Sequence, residues 1–153
     1  MDQLPVSLAI VGATGAVGGE LLKVLEKREF PIKELHCFAS PRSMGKELFF
    51  RGKPIPIKSL SEEGFKGIDI AIFSAGSKIS REWIPLATKQ GVKVVDNSSA
   101  FRMDPEVPLV IPEINTHALK EHHWIASCPN CSTAIMLMAV APLHRVFNFV
   151  VLV

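Results

Sequence analysis

The chain has 153 residues, 48% of them hydrophobic and 21% charged, with 17 basic against 15 acidic side chains. This fits one globular domain, and a chain of this length buries roughly 70% of the surface its unfolded form exposes, so neither disulfides nor a metal is needed to hold a core. A formal charge of +2 with no Lys/Arg run longer than two leaves no electrostatic footprint for nucleic acid, and the longest unbroken apolar stretch, residues 134–141, is well short of the roughly 20 residues a membrane span requires.

Residues 6–11 form an apolar run between Pro5 and Gly12, short enough to be a strand buried on both faces. Beyond the glycines, Leu21, Leu22, Val24 and Leu25 recur at helical spacing until Phe30-Pro31 stops the pattern. Residues 35–39 supply a second strand, and residues 48–50 and 55–57 read as a hairpin whose prolines keep it at a sheet edge. Residues 68–73 are the next buried strand, 80–90 a helix stopped by Gly91, and 92–96 another strand. The proline-rich stretch 105–112 traverses as a loop, Thr116 caps a predicted short helix over 118–122, and 124–127 is a strand. A last helix runs from Ser132 to about Phe147; it is apolar nearly all round at its start and so expected to be buried, with Pro142 disturbing its middle. Residues 147–153 read as a strand start that breaks off, which suggests a truncated chain. Alternating strands and helices predict an α/β, Rossmann-like, doubly wound and mostly parallel sheet with helices on both faces. The N-terminus has no basic leader, and Cys37, Cys128 and Cys131 are too few for a disulfide framework, so the expected setting is the cytoplasm.

The turn Gly12-Ala13-Thr14-Gly15-Ala16-Val17-Gly18 follows the first strand and opens the first helix. A pyrophosphate approaches backbone N–H groups closely only where side chains are missing, and the following helix N-terminus adds partial positive charge. The spacing G-x-x-G-x-x-G is weak alone; its place between a buried strand and an amphipathic helix makes it a dinucleotide signature. Where NAD-binding relatives carry a carboxylate for the ribose 2′-hydroxyl, this chain has Ser40-Pro41-Arg42-Ser43. A guanidinium between two hydroxyls suits a 2′-phosphate and points to NADP; the bland alternative is a solvated loop arginine. Ser74-Ala75-Gly76 ends a strand at the same edge, where small residues let cofactor or substrate lie against backbone.

Cys131 lies between a strand and an apolar helix, with Asn130 before it. A helix N-terminus stabilises thiolate, which predicts a nucleophile on the ligand-binding edge; position alone, without any resemblance, favours a buried, inert core cysteine. Cys128-Pro129-Asn130-Cys131 is also a C-x-x-C, the spacing of thiol-disulfide exchange or of half a zinc site, although zinc needs two further ligands and only His122 and His123 are near. No metal is expected.

Together these motifs, with Asp96-Asn97-Ser98-Ser99-Ala100-Phe101-Arg102, Pro112-Glu113-Ile114-Asn115 and Pro129-Asn130-Cys131-Ser132-Thr133, resemble the N-terminal domain of the aspartate-semialdehyde dehydrogenase family from Leu8 to about Arg145. The resemblance implies reductive dephosphorylation of L-aspartyl 4-phosphate with NADPH, on the route to lysine, threonine and methionine. It assigns Cys131 as nucleophile, Asn130 as its neighbour in the acyl site, Arg102 as a contact to the phosphate, and Ser98 and Ser99 to the nicotinamide pocket. It further implies a small acyl phosphate and inorganic phosphate as partners, no nucleic acid or membrane, and a homo-oligomer. Residues 1–153 would then be the NADP-binding domain, ending just after the nucleophile's helix, with the substrate and dimerisation domain absent. Cys128 departs from the family, which more often has Asn there, and the family's histidine acid/base and carboxylate-binding arginine lie in the missing half. His144 cannot substitute, because thirteen helical residues place it about 20 Å from Cys131. Three alternatives remain: a related reductase of the N-acetyl-glutamyl-phosphate type, a non-catalytic nucleotide-binding or thiol-redox module, and a prematurely terminated copy with no activity.

Overall fold

The computed structural model describes residues 4–148 apart from His122. Its elements run β1 (Val6–Val11), α1 (Ala16–Lys27), β2 (Ile32–Phe38), β3 (Glu47–Phe50), β4 (Lys53–Lys58), β5 (Ile70–Phe73), α2 (Ser77–Lys89), β6 (Lys93–Asp96), α3 (Pro112–Asn115), β7 (Ile125–Ser127) and α4 (Cys131–Phe147). The strands form a single sheet in the order β3-β4-β2-β1-β5-β6-β7. Every pairing is parallel except β3 with β4, the hairpin expected at an edge. The chain leaves β1 for β2 on one side and later returns to place β5 on the other, so β1 and β5 flank the switch point where doubly wound sheets bind ligands.

Alternation along β1 divides the core. Ala9 and Val11 face Phe38, Phe73, Val94 and the α2 residues Ile84 and Ala87, while Leu8 and Ile10 face Cys37 and the α1 residues Leu22 and Leu25. Helices therefore cover both faces of the sheet. On the α2 side Phe65 is fully buried and holds Phe73 (6.1 Å between ring centres) and Phe38 (5.6 Å), each such ring contributing about 1.5–3 kcal/mol by leaving water.

The structure corrects several expectations. β2 begins at Ile32, because Val6 N–H bonds back to Pro31 O and starts the pairing early. α2 begins at Ser77 and accommodates Pro85. There is no helix over 118–121, and His122 lies outside the described residues. Pro112, preset for a first helical position, starts α3 instead, Asn115 Oδ1 accepts from Ile111 N–H, and a 3-10 turn over Thr116–Ala118 follows with Thr116 Oγ1 donating to Pro112 O. α4 runs unbroken through Pro142, but none of its described side chains is buried: Ile135 is 74% and Val146 73% exposed. A helix apolar all round needs neighbours on all sides, and here α3 touches one flank, with Arg145 donating to the Glu113 and Ile114 carbonyls. Phe147 is helical and Asn148 ends α4 in the left-handed conformation, so no strand starts there; 149–153 lie outside the described residues.

Candidate functional site

Because the long strands are parallel, the segments after β1, β2, β4, β5, β6 and β7 all emerge on one rim. The glycine turn and Cys131 therefore share that rim, with β1 and β7 three strand spacings, about 14 Å, apart.

At the switch point Gly12 N–H and Ala13 N–H both donate to Phe38 O, and Ser74 N–H donates to Val11 O. Gly12 has φ +92°, and a Cβ there would stand 2.5 Å from Ser74 O. A Cβ on Gly18 would stand 2.7 Å from Ala13 O, so this glycine sets how closely α1 meets the turn. α1 starts at Ala16 with no side-chain cap, leaving its first N–H groups toward the rim. Gly12, Thr14, Gly15, Ser40, Ser74 and Ala75 line a cavity of about 550 Å³. Ala13 is fully buried behind it, and Ala16 and Val17 lie exposed on the first turn of α1, off its wall. Gly76 has φ +89° and precedes α2. Arg42 is exposed in a 3-10 turn beside the cavity, where Ser43 Oγ lies 3.3 Å from Thr14 Oγ1, joining the two turns. The turn's missing side chains and uncapped N–H groups fit a pyrophosphate.

Val11, Ala39 and Pro41 complete the near side of the wall, and sequence reasoning missed its other members, Ser59, Leu60, Ile79 and Trp83. Ile79 and Trp83 are four residues apart on one face of α2, a spacing legible in the sequence but indistinguishable there from core packing.

The second half of the rim is organised by Asp96, which is fully buried. Its Oδ1 accepts from Ser80 Oγ (2.8 Å) and Ser98 N–H (3.0 Å), its Oδ2 from Ser98 Oγ (2.9 Å), and its carbonyl from Cys128 N–H (2.8 Å). Ser98 thus turns its hydroxyl inward, where it also accepts from Ala100 N–H; the neighbouring Ser99 is exposed and its Oγ meets Ser77 Oγ at 2.8 Å. Arg102 is half-buried, its Nε donating to Cys128 O (2.8 Å) and an Nη to Asn97 O (3.4 Å). Two of its five N–H donors are used, and three remain for an anion.

Cys131 is the exposed first residue of α4, and Asn130 caps it. Asn130 Oδ1 accepts from Ser132 N–H (3.0 Å), Ser132 Oγ (2.5 Å) and the Cys131 thiol (3.7 Å), so the side chain that starts the helix also holds the sulfur. Cys128 and Cys131 line one smaller cavity. Burial, and next the Asp96 charge, push the Cys128 thiol up, with Arg102 opposing; burial alone pushes Cys37 up to about 11. Residues 128–130 form neither helix nor turn. Both thiols are free. Among the described residues no three His, Cys, Asp or Glu cluster as metal ligands, and no helix is long and apolar enough to cross a membrane.

Residues 7–122 match the family described as semialdehyde dehydrogenase, NAD binding domain. The chain is 52% identical over 141 residues to the aspartate-semialdehyde dehydrogenase of Synechocystis sp., covering 92% of this chain and 42% of the relative. It is 55% identical over 140 residues to that of Aquifex aeolicus, covering 90% and 41%. Among solved structures, aspartate semialdehyde dehydrogenase II of Vibrio cholerae in complex with ASA superposes with a TM-score of 0.89 at 45% identity, covering 93% of this chain and 47% of the other. The chain spans about two fifths of the length of these curated relatives. Glycine turn, switch point and family match agree, and the chain belongs to the semialdehyde dehydrogenase family as its nicotinamide-dinucleotide-binding domain.

Proposed function

We propose that this chain supplies the NADP site and the nucleophile for reductive dephosphorylation of L-aspartyl 4-phosphate to L-aspartate 4-semialdehyde, in the cytoplasmic synthesis of lysine, threonine and methionine. The observation that carries the reading is the shared rim: an exposed, capped thiol on one side of the switch point and a side-chain-free turn on the other.

Gly12, Thr14 and Gly15 hold the pyrophosphate, Ala13 backs the turn, and Ala16 and Val17 present the first N–H groups of α1. Ser40, Arg42 and Ser43 take the 2′-phosphate, and Ser74, Ala75 and Gly76 give the cofactor a flat backbone to lie on. When bound, the dinucleotide supplies the hydride. The Cys131 sulfur attacks the acyl carbonyl, a carbon–sulfur bond forms and the carbon–oxygen bond to phosphate breaks, releasing inorganic phosphate. Arg102 directs its spare donors at the phosphate as charge builds on it, while Asn130 holds the sulfur's position. Ser98 shapes the nicotinamide side through the loop it builds with Asp96. The general acid/base and the substrate-carboxylate contact come from chain beyond these residues, as does the contact that makes a homo-oligomer.

The test is phosphate-dependent reduction of NADP with aspartate semialdehyde, in a protein of the relatives' length carrying these 153 residues. Activity is expected and is lost in Cys131→Ala; activity surviving that change refutes the nucleophile. Turnover of N-acetyl-glutamate semialdehyde instead would select the related reductase.

A further inference from the structure

We infer that Cys128 and Cys131 are a dithiol that reacts with hydroperoxides: Cys131 is oxidised first, and Cys128 resolves it by closing a reversible disulfide. The dehydrogenase reading above leaves the Cys128 thiol without a part, and the inference does not depend on that reading. The two residues line one cavity of about 320 Å³, together with Asn97, Glu113 and Met138. They meet it unequally. Cys131 is exposed at the first position of α4, whereas Cys128 is half-buried and its thiol is pushed up by burial and by the Asp96 charge, so Cys131 is the one a peroxide attacks. Cys37 is fully buried on the α1 face of the sheet and takes no part.

The backbone decides which residue moves. Cys128 is held from both sides, its N–H donating to Asp96 O at 2.8 Å and its carbonyl accepting from Arg102 Nε at 2.8 Å. α4, by contrast, buries none of its described side chains. Closing the bridge requires the irregular spacer to shorten into a helical turn, which brings residues three apart to about 5 Å between α-carbons, inside the roughly 7 Å that a disulfide spans. Pro129 and Asn130 are prepared for that turn. The proline ring fixes φ at about −65°, the value of a first helical position. Asn130 already has φ −59°, so its ψ of 145° and the ψ of Pro129 are the angles that must swing. Cys128 then becomes the N-cap, with the extended backbone that a residue before proline prefers, and keeps both of its hydrogen bonds. What is given up is the Asn130 cap on Ser132. In the chemistry, the Cys131 sulfur attacks a peroxide oxygen, the O–O bond breaks, and water or an alcohol leaves a sulfenic acid behind. The Cys128 sulfur attacks that sulfur, an S–S bond forms, the S–O bond breaks, and the hydroxyl departs with the Cys128 proton as water. The two sulfurs lose two electrons in all and the peroxide gains them. A dithiol reductant reverses the bridge by exchange.

The test treats the reduced 153-residue chain with hydrogen peroxide, alkylates the free thiols and maps the peptides by mass. The peptide spanning Cys128 and Cys131 should lose two hydrogens and take no alkyl group, dithiothreitol should restore both thiols, and Cys37 should remain alkylatable after unfolding. In Cys128→Ser the disulfide should vanish and Cys131 should pass to sulfinic acid, which dithiothreitol does not reverse. In Cys131→Ser, Cys128 should stay reduced at the same peroxide dose. Three results overturn the inference: Cys131 sulfinic acid accumulating in the unsubstituted chain while Cys128 remains alkylatable, oxidation that yields only disulfides between chains, or Cys128 oxidised as readily without Cys131. In a protein of the relatives' length, oxidation should also abolish activity and dithiothreitol restore it. That arm alone rests on Cys131 as nucleophile: activity retained with the disulfide mapped in the same protein overturns the nucleophile and leaves the dithiol standing.

Discussion

Four glycines stand within eight residues of one another at the start of this chain, and the structure assigns them different costs. In Gly12→Ala the methyl would meet Ser74 O at 2.5 Å, a backbone atom that cannot swing aside, and the residue would have to hold φ +92°. Strain in a sparsely populated backbone region costs about 1–3 kcal/mol, and forcing a methyl into a filled site about as much again. A total loss of about 2–6 kcal/mol follows. Gly18→Ala meets backbone at comparable distances but carries no positive-φ strain, so it should lose less, about 1–3 kcal/mol. Gly15 is different: its φ is −76°, and a Cβ would come only to 3.3 Å from Gly12 O. Gly15→Ala should fold almost normally while adding a methyl to the cavity wall, so its loss appears in dinucleotide affinity. Gly19 has nothing within 4 Å and sits inside α1, where alanine should gain about 1 kcal/mol. Urea unfolding followed by circular dichroism, with NADP titration by calorimetry, separates the four. An unchanged Gly12→Ala midpoint, or a Gly15→Ala protein that unfolds early yet binds normally, would refute the assignment of roles.

Asp96→Ala strands three buried or half-buried donors and should cost about 3–4 kcal/mol, read as an urea midpoint shift at constant slope. Ser127→Ala removes the one buried side-chain oxygen without a partner among the described residues, so its unfolding midpoint should hold or rise. Under native conditions a disulfide-exchange reagent should label Cys131 fast, Cys128 slowly and Cys37 only on unfolding, counted by peptide mass mapping; rapid labelling of Cys37 contradicts the burial. Because Cys37 is raised in the folded chain from 9.0 to about 11, the folded state binds the extra proton across that window. Its stabilising effect is whole below pH 9 and is lost as pH rises through 11, on the order of 3 kcal/mol. Cys37→Ala should flatten that alkaline fall in unfolding free energy.

The sheet was legible because buried parallel strands write themselves as short apolar runs: residues 6–11 and the run ending at Phe73 have no other reading at that length. The glycine turn was legible through its flanks. α3 was missed because its start depends on Pro112 at a first helical position and on Asn115 folding back to Ile111, and neither produces periodicity. The burial assigned to α4 failed for a different reason. Apolar composition predicts that a helix wants partners, not that this stretch of chain contains them. The Asp96 network was invisible because its members, Ser80, Ser98 and Cys128, are brought together only by strand order.

Asp96 also has a mechanical meaning. Through Ser80 it grips the helix that carries Ile79 and Trp83, and through Ser98 and the Cys128 amide it grips the segments leading to Arg102 and the sulfur. Direct hydrogen bonds at this one residue therefore join α2 to the segments that carry Arg102 and the sulfur. The carboxylate of Asp96 holds the α2 and Ser98 sides and its main-chain carbonyl holds the Cys128 side, so any strain passed between the two halves of the rim is, by reciprocity, the same in both directions.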